Sequence, residues 1–376
     1  MFKRIYISML MALSLMAFSC TGTGKTNPEE DKPGIEDTDQ PGDNNGENGE
    51  NGDNNGGNNG DNNGDNNGGN NGDNGDNGTV DPPAPEPQYD TVKLRVMQFN
   101  ILQSKDEAEG HTWSQYRATP CKEMFKATDP DIICLQECRR TQLDFMKNNF
   151  SGYDYFLYAK DGVKKAGYEN MMSCTDDSIF KNGGHRDVIA VRKGRYELLS
   201  WGKYWFSDTP DVSSYAGKYE GGGTPKLSLW VKLKDKEKDY ILLIWCTHFF
   251  PHGDIPTRKL CSTMSVERMK QLVGEEDVVF FCGDLNLSYE SEALAPLNEY
   301  MKNARIEAET TDQHPTYTGF RTDASTWTLI DHIYYRNAKP LTYKVVSEPI
   351  ENGTSVLSDH FPLYTDFQII LQKDKQ

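Results

Sequence analysis

The stretch VVFFCGDLN, residues 278–286, begins as an apolar run and ends in polar side chains. Its first residues predict a buried β-strand. Residues i and i+2 of a strand face the same side, so Asp284 and Asn286 would point to one place if the extended backbone continued past Gly283. A carboxylate beside an amide suits holding a water molecule or a phosphate oxygen. Gly, Asp and Asn are also common turn formers, so a strand-ending turn is the alternative.

The same pattern recurs along the chain, as short β-rich runs that end in a carboxylate, an amide or an imidazole. These runs are residues 94–99 before Asn100, 131–135 before Gln136 and Glu137, 240–246 before Thr247 and His248, 328–330 before Asp331 and His332, and 356–357 before Ser358, Asp359 and His360. Helical patterns lie between them, at residues 113–127, 257–273 and 298–304. Strands alternating with helices predict an α/β layered domain, in which strand ends commonly build the functional site.

The residue types at these ends indicate phosphate-ester chemistry. Glu137 and Asp359 offer the hard oxygen ligands that Mg²⁺ or Mn²⁺ prefers. His248 and His360 can move protons near neutral pH or hold a phosphate oxygen, and Asp331 could orient an imidazole. Groups that can hold water, metal or phosphate complete the set: Asn100, Asp284 and Asn286. The chain has no G-x-S-x-G nucleophile motif, so acyl transfer is disfavoured.

In this order, the motifs resemble the endonuclease/exonuclease/phosphatase superfamily, which includes DNase-I-like nucleases, sphingomyelinases and inositol-polyphosphate phosphatases. They are MQFN at 97–100, LQE at 135–137, THF at 247–249, GDLN at 283–286, IDHI at 330–333 and SDHFPL at 358–363. Each motif is weak alone, but six in order are specific, and the match spans about residues 90–372. The resemblance implies an α/β fold, a four-layer αββα sandwich with two packed mixed β-sheets, whose six motif loops meet at one edge.

The resemblance also implies roles for the residues that match its motifs. Glu137 would be the principal Mg²⁺ (or Mn²⁺) ligand, with Asn100 and Asp359 beside it. Asp284 and Asn286 would position the attacking water and the phosphate. The remaining roles follow by motif: His248 would bind the phosphate, and His360, paired with Asp331, would be either the general base or a phosphate-binding imidazole.

Other segments resemble the secreted lipoprotein branch of the superfamily or depart from it. Tyr204–Pro210 resembles a segment of that branch. Where many relatives have an acidic residue that supports the imidazole equivalent to His248, this chain has His185 and Arg186. Lys226 follows Pro225 where relatives often have arginine. The insertion at residues 168–184 is interpreted either as a loop that shapes the substrate pocket or as a disordered loop.

The first 88 residues are predicted to direct and tether the protein. A basic start and an apolar run to Phe18 are typical of a secretory signal, and the run is too short to span a bilayer. The sequence before Cys20 resembles a bacterial lipobox, which implies a lipoprotein signal at 1–20 and lipid attachment to Cys20; an ordinary signal peptide is the alternative. Residues 21–88, rich in Asn, Gly and Asp, predict a disordered linker. Residues 89–376 are then one endonuclease/exonuclease/phosphatase domain.

The charge of the chain is concentrated in this predicted tether. Residues 1–88 carry 16 acidic and 4 basic side chains, which is −12 of the net −17. The remaining part is only mildly acidic, without the basic bias of a tight nucleic-acid binder. Cys134, Cys246 and Cys282 lie in apolar runs and are predicted to be buried hydrophobic residues.

These observations predict an exported, metal-dependent phosphoesterase that acts on phosphodiesters, in nucleic acid or a phospholipid head group. A phosphatase acting on a phosphorylated sugar or inositol is one alternative, and a catalytically inactive surface binding module is another. We expect a monomer that meets the membrane only through its lipid anchor. The predicted location is the outer membrane, facing either the periplasm or the cell exterior.

Overall fold

The computed structural model describes residues 89–105, 107–158, 186–212, 214, 225–348 and 357–372. The predicted signal and linker, Cys20, and the insertion at 168–184 lie outside these residues, so the boundaries at 20 and 88 stay predictions. None of the helices in the described ranges is long and apolar enough to cross a membrane.

The described residues form strands and helices in alternation. The strands are β1 Tyr89–Asn100, β2 Ile132–Cys138, β3 Tyr153–Leu157, β4 Arg186–Arg192, β5 Tyr196–Trp205, β6 Leu227–Asp235, β7 Ile241–His248, β8 Val278–Asp284, β9 Lys302–Asn303, β10 Thr310–Thr311, β11 Asp331–Arg336, β12 Lys339–Val345 and β13 Leu363–Gln372. The α-helices are α1 Ala118–Thr128, α2 Arg140–Asn149, α3 Ile255–Leu272, α4 Ala295–Tyr300 and α5 Ala304–Glu307. A π-helical turn at Trp113–Arg117 leads into α1, and 3₁₀ turns lie at Glu292–Leu294 and Ala324–Thr326.

The strands form two mixed sheets. The first has seven strands in the order β10-β12-β13-β1-β2-β4-β3, and the second has six in the order β5-β6-β7-β8-β11-β9. The pairs β1–β2 and β7–β8 are parallel, whereas β8–β11 and β1–β13 are antiparallel.

Strand β8 is covered on both of its faces, which explains why its sequence is continuously apolar. Val278, Phe280 and Cys282 belong to the core shared by the two sheets, while Val279 and Phe281 belong to the cluster under the helices. Successive side chains of a strand point to opposite faces, so a strand covered on both faces needs apolar residues at every position. The opening stretch therefore predicts its strand correctly.

Helices cover the outer face of each sheet. Met124 of α1 and Leu143 of α2 pack into a cluster with the outer face of the seven-stranded sheet, and Met269 of α3 and Leu297 of α4 do so on the six-stranded sheet. The order is therefore helix, sheet, sheet, helix, which confirms the predicted α/β sandwich with two packed mixed sheets. The predicted burial of Cys134, Cys246 and Cys282 is also confirmed, since all three are inaccessible to solvent in the inter-sheet core.

The helix predictions hold for the long segments and fail for a short one. Residues 113–127 and 257–273 coincide with α1 and α3 to within a few residues. The helix predicted at 298–304 is wrong, because that range contains the end of α4, strand β9 and the start of α5. Asn303 explains the break, since its side chain accepts a hydrogen bond from the N–H of Arg305 and so begins a new helix.

Candidate active site

Parallel strands bring the motif residues to one edge of the sandwich. Asn100 ends β1 opposite Gln136 of β2, and His248 ends β7 opposite Asp284 of β8. Phe249 continues the second pairing, because its N–H donates to the carbonyl of Asp284 at 3.0 Å. The carboxyl ends of these four strands thus carry the polar residues, as expected for a site built at strand ends.

Two of the predicted strand endings have a different structure. Residues 328–330 do not form a strand, and Asp331 instead begins β11, opposite Asp284. Leu357 is likewise outside any strand, and β13 begins only at Leu363, after His360. Because β11 runs antiparallel to β8, its first residue lies at the edge where β8 ends. The residues still reach the predicted edge, but from the opposite chain direction.

The segment that follows β8 is a turn. The strand continues through Gly283 and ends at Asp284, and Asn286 has a φ of +54°, so the condition for Asp284 and Asn286 to face the same side is not met. The N–H of Asn286 donates to Oδ1 of Asp284 at 3.0 Å, and its Nδ2 donates to the carbonyl of Phe249 at 3.1 Å. A turn therefore ends the strand, as one of the two interpretations predicts, while the roles of Asp284 and Asn286 toward water and phosphate stay predictions. Asp284 remains in the site, whereas the amide of Asn286 fixes the β7 loop.

Glycine is required immediately before Asp284. A Cβ on Gly283 would lie 2.5 Å from the carbonyl oxygen of Thr247, which precedes His248. This close approach lets the ends of β7 and β8 come together. As a result, Nε2 of His248 lies 3.3 Å from Oδ2 of Asp284, and its Nδ1 lies 3.9 Å from Oε1 of Glu137.

His360 is held by a chain of buried polar groups that joins the two sheets. Its Nδ1 lies 2.8 Å from Oδ2 of Asp331, and Nε2 of Gln98 donates to the other carboxylate oxygen of Asp331 at 3.4 Å. Gln98 in turn exchanges hydrogen bonds with the side chain of Gln136. With Nδ1 occupied, Nε2 of His360 faces Asn100 at 3.4 Å and Oδ2 of Asp284 at 3.6 Å.

Asn100 and Asp359 are positioned by neighbouring loops. Nδ2 of Asn100 donates to Oδ2 of Asp284 at 3.0 Å, while its Oδ1 accepts the N–H of Leu102. The hydroxyl of Ser358 donates to the carbonyl of Asn100 at 2.7 Å and lies 3.1 Å from Oδ1 of Asp359. These contacts connect the end of the first motif, at Asn100, to the start of the last, at Ser358.

The acidic residues and the imidazole change each other's protonation. Burial is the main cause that raises the pKa of Asp284 to about 7, opposed by His360 and reinforced by Asp331. Burial also opposes the charged form of His360, but Asp331 and Asp284 outweigh it and raise its pKa to about 10. Burial and the nearby Glu137 raise the pKa of Asp359. The site therefore concentrates negative charge that lacks full compensation.

A comparison with protein families decides how this arrangement is classified. The family model described as "Endonuclease/Exonuclease/phosphatase family" matches residues 97–360, which is most of the chain; the match contains the first five motifs and the Ser358, Asp359 and His360 of the sixth. The chain belongs to this family. The predicted family is thereby confirmed, whereas its secreted lipoprotein branch stays a prediction.

Solved structures of similar fold agree with the family. Endonuclease/exonuclease/phosphatase proteins from Bacteroides vulgatus and Bacteroides thetaiotaomicron are 24% and 23% identical, with TM-scores of 0.61 and 0.62; the matches cover 73% and 75% of this chain and 98% and 97% of theirs. A Bacteroides thetaiotaomicron mannosyl-6-phosphatase is 24% identical with a TM-score of 0.60, covering 73% of this chain and 99% of that one. At these identities the likeness shows the fold. No curated protein matches the chain at a significant level.

Divalent-metal dependence is general in the endonuclease/exonuclease/phosphatase family, and the donor set here fits such an ion. Within the described ranges, one group of three His, Cys, Asp or Glu residues has ligand atoms within 4.8 Å of one another: Asp284, Asp331 and His360. This set differs from the predicted ligands. Both nitrogens of His360 already face carboxylates or Asn100, so an ion bound there would have to displace these contacts.

The predicted ligands Glu137 and Asp359 are more open than this buried group. Both carboxylates are partly exposed, as suits a magnesium ion that retains several water molecules. Glu137 also has a φ of +62° at an irregularity in the β2–β4 pairing, a strained backbone that turns its side chain at the strand end. By chemical type and partial exposure, the carboxylates of Glu137 and Asp359 suit a divalent cation, and their assignment as its ligands stays a prediction.

Several residues of the site received no role from the sequence. Gln98 and Gln136 lie inside quoted motifs, and only the structure shows that Gln98 donates to Asp331 of the other sheet while Gln136 bonds to Gln98. The ring of Tyr317 packs against that of His360 at a tilt of 47°, with centroids 4.7 Å apart, and the N–H of Thr318 donates to the carbonyl of Asp359. No motif marks this loop. His185 and the side chain of Arg186, the departures near β4, lie outside the described groups.

Proposed function

We propose that this protein is a divalent-metal-dependent phosphoesterase that hydrolyses phosphodiester bonds outside the cytoplasm. The observation that carries the proposal is the meeting of His248, Asp284, Asp331 and His360, which come from four separate segments, at one edge of the sandwich. Membership in the endonuclease/exonuclease/phosphatase family supports a hydrolase that acts on phosphate esters.

The chain's own side chains can perform the steps of such a reaction. Asp284 is placed to orient a water molecule for attack on phosphorus, because its carboxylate faces both imidazoles. In this proposal His248 binds a phosphoryl oxygen. Asp331 fixes the ring of His360 so that Nε2 is presented to the substrate, and because its raised pKa keeps the imidazole protonated near neutral pH, the charge favours binding of the phosphate over acceptance of the water proton. As the water oxygen bonds to phosphorus, its proton passes to the carboxylate of Asp284, and the bond between phosphorus and the leaving oxygen breaks as that oxygen takes a proton from solvent.

The proposed cation would be Mg²⁺ or Mn²⁺, held by Glu137 with Asn100 and Asp359. When bound, it supplies positive charge to the phosphoryl oxygens as negative charge develops on them. These ligands carry two carboxylates and one amide, which are the oxygen donors that such ions prefer.

A phosphatase acting on a phosphorylated sugar or inositol is the second candidate. The likeness to a mannosyl-6-phosphatase favours it, because that protein covers almost the whole domain. A catalytically inactive surface binding module is a weaker candidate, since His248, Asp284, Asp331 and His360 meet in one buried cluster.

Hydrolysis of bis(p-nitrophenyl) phosphate with Mg²⁺ or Mn²⁺ tests the proposal. We expect turnover that requires the metal, and its loss in Glu137→Ala and in His360→Ala while the fold survives. The matched control is Lys234→Ala, on the surface of β6 far from the site. Metal-independent turnover, or near-normal activity of either variant, would contradict the site. A panel of DNA, RNA, sphingomyelin, phosphoinositides and sugar phosphates then separates diesterase from phosphatase.

The proposed location rests on residues 1–88 and needs a separate test. Attachment of lipid to Cys20 predicts that the protein fractionates with membranes and that Cys20→Ala releases it. Protease treatment of intact cells then distinguishes a surface-exposed domain, which is cleaved, from a periplasmic one, which is protected. Gel filtration of residues 89–376 tests the expected monomer.

A further inference from the structure

Two cations lie beside the site without an acidic partner. Lys226 precedes β6, and Arg258 lies in the first turn of α3. Among the described residues, neither forms an ion pair with a carboxylate. Arg258 donates one hydrogen bond, from Nη2 to the carbonyl of Asn286 at 3.1 Å, and its Nε is buried without a partner in the described part of the chain.

Lys226 is close to the acidic centre. Ser228 pairs with Thr247, so Lys226, two residues earlier on the antiparallel partner, lies next to the end of β7. Its ammonium group interacts electrostatically with Glu137 and Asp284 but is not within ion-pair distance of either. It therefore stands on the rim of the proposed phosphate site.

Arg258 lies near the same strand ends and is connected to Asp284 through Asn286. It contacts the backbone of Asn286, whose side chain is bound to the carbonyl of Phe249. Lys226 lies beside the end of β7, and Arg258 reaches the same segment through Asn286, so the two cations flank the residues that follow His248. The segment that follows His248 thus lies near both cations.

Both cations are held in a partly desolvated setting. Burial is the main cause that lowers the pKa of Lys226 and that of Arg258 from their ordinary values. A desolvated cation without a partner is unfavourable, and an anion placed beside it would recover that free energy. Lysine and arginine are the usual ligands of phosphate groups, with arginine adding a directed set of N–H donors.

We propose that Lys226 and Arg258 form a second anion site, which takes a second phosphate group of the substrate beside the phosphate that is cleaved. This inference rests on the proposed function, because that function places the first phosphate at His248 and Asp284. Asn286 bonds both to Asp284 and to Arg258, so a phosphate held by Arg258 would lie close to the phosphate that is cleaved beside Asp284. Both phosphates would then belong to one substrate molecule. The favoured substrate therefore carries two phosphate groups a short distance apart.

Calorimetric binding of two nucleotides tests the site without requiring turnover. Full-length protein with Mg²⁺ is titrated with thymidine 3′,5′-bisphosphate and with thymidine 5′-monophosphate. We expect the bisphosphate to bind at least about tenfold more tightly, and this preference to disappear in Arg258→Met and Lys226→Met. Lys226→Arg should retain it, and Lys234→Met, at the far end of β6, should leave both affinities unchanged. Equal affinities in the wild type, or no binding of the bisphosphate, would overturn the proposal.

A chromogenic pair separates this inference from the proposed function. Thymidine 5′-(p-nitrophenyl phosphate) and its 3′-phosphorylated form release the same product, so their kcat/KM values compare directly. We expect the 3′-phosphate to raise kcat/KM about tenfold through KM, and Arg258→Met to reduce that ratio toward one. Absence of hydrolysis with a retained binding preference would refute the proposed function alone, whereas hydrolysis with a ratio of one in the wild type would refute the second anion site alone.

Discussion

Nδ1 of His360 lies 2.8 Å from Oδ2 of Asp331, and this buried pair joins the loop before β13 in one sheet to the first residue of β11 in the other. Both side chains are almost inaccessible to solvent. The contact assigns Nδ1 to Asp331 and leaves Nε2 for the site, so the orientation of the imidazole depends on how the two sheets pack. Gln98 extends the same connection to β1.

Replacing Asp331 by Asn tests this pair. The variant keeps the shape of the side chain but removes the charge that raises the pKa of His360 to about 10 in the metal-free protein. We expect that pKa, followed by NMR titration of the ring protons, to fall toward its ordinary value of 6.5. Turnover should fall by about 10²- to 10⁴-fold because the imidazole loses its orientation and protonation.

The same substitution has a pH-dependent effect on stability. The pKa of His360 is raised in the folded state, so the pair stabilises the protein fully below pH 6.5 and loses that effect as the pH rises toward about 10. The stability difference between wild type and Asp331→Asn, from urea unfolding of metal-free protein, should therefore shrink over that range. Asp323→Asn, an exposed change, is the control. A difference that grows with pH would show that the pair is not charged as described.

The sequence predicts the fold and the edge that carries the site because both depend on local patterns. The run from Val278 to Cys282 must be covered on both faces, whichever strands become its neighbours. A polar residue at the end of such a run, as Asp284 is, then lies at a sheet edge. Family motifs add the remaining positions, and their order along the chain supports one common edge.

The details that the sequence does not predict depend on pairing between distant segments. Asp331 begins its strand because β11 runs antiparallel to β8, a direction that local composition cannot specify. Asn286 leaves the extended conformation because its amide has a partner on Phe249, from another loop. From the sequence, Gln98 is an ordinary strand residue. Its role in holding Asp331 becomes visible only in the structure, where the second sheet brings Asp331 beside it.

Glu137→Gln tests which residues hold the metal. The amide keeps one oxygen but loses the charge, so we expect calorimetric affinity for Mn²⁺ to fall at least about tenfold, with an equal rise in the metal needed for activity. Glu267→Gln, on the exposed side of α3, is the matched control. If Glu137→Gln binds Mn²⁺ normally while Asp331→Asn does not, the ion belongs to the Asp284, Asp331 and His360 group instead.

Gly283→Ala tests the close approach of β7 and β8. The new Cβ would lie 2.5 Å from the carbonyl oxygen of Thr247, so the strands must separate where His248 meets Asp284. We expect the free energy of unfolding in urea to fall by about 1–3 kcal/mol, with a loss of activity larger than the fraction unfolded explains. Gly152→Ala has open space around its Cβ and should change neither. Unchanged stability of the Gly283 variant would mean that the strand ends are loosely packed.

Asp235 at the opposite end of β6 provides a test of stability away from the site. Burial opposes its charge, but hydrogen bonds from Arg195 and from the N–H groups of Glu237 and Lys238 outweigh burial and lower its pKa. A lowered folded-state pKa gives stability that is present above the ordinary value of 3.8 and is lost as the pH falls through the folded value. Asp235→Asn should therefore reduce the free energy of unfolding at pH 7 by about 2 kcal/mol, and the difference should vanish in acid.

Urea unfolding from pH 7 to pH 2 measures both the size of this difference and its loss in acid. The control is Asp239→Asn, whose carboxylate is in an exposed ion pair with Lys234, and it should stay close to wild type. A deficit of the same size at every pH would show that packing, rather than charge, is what Asp235 contributes.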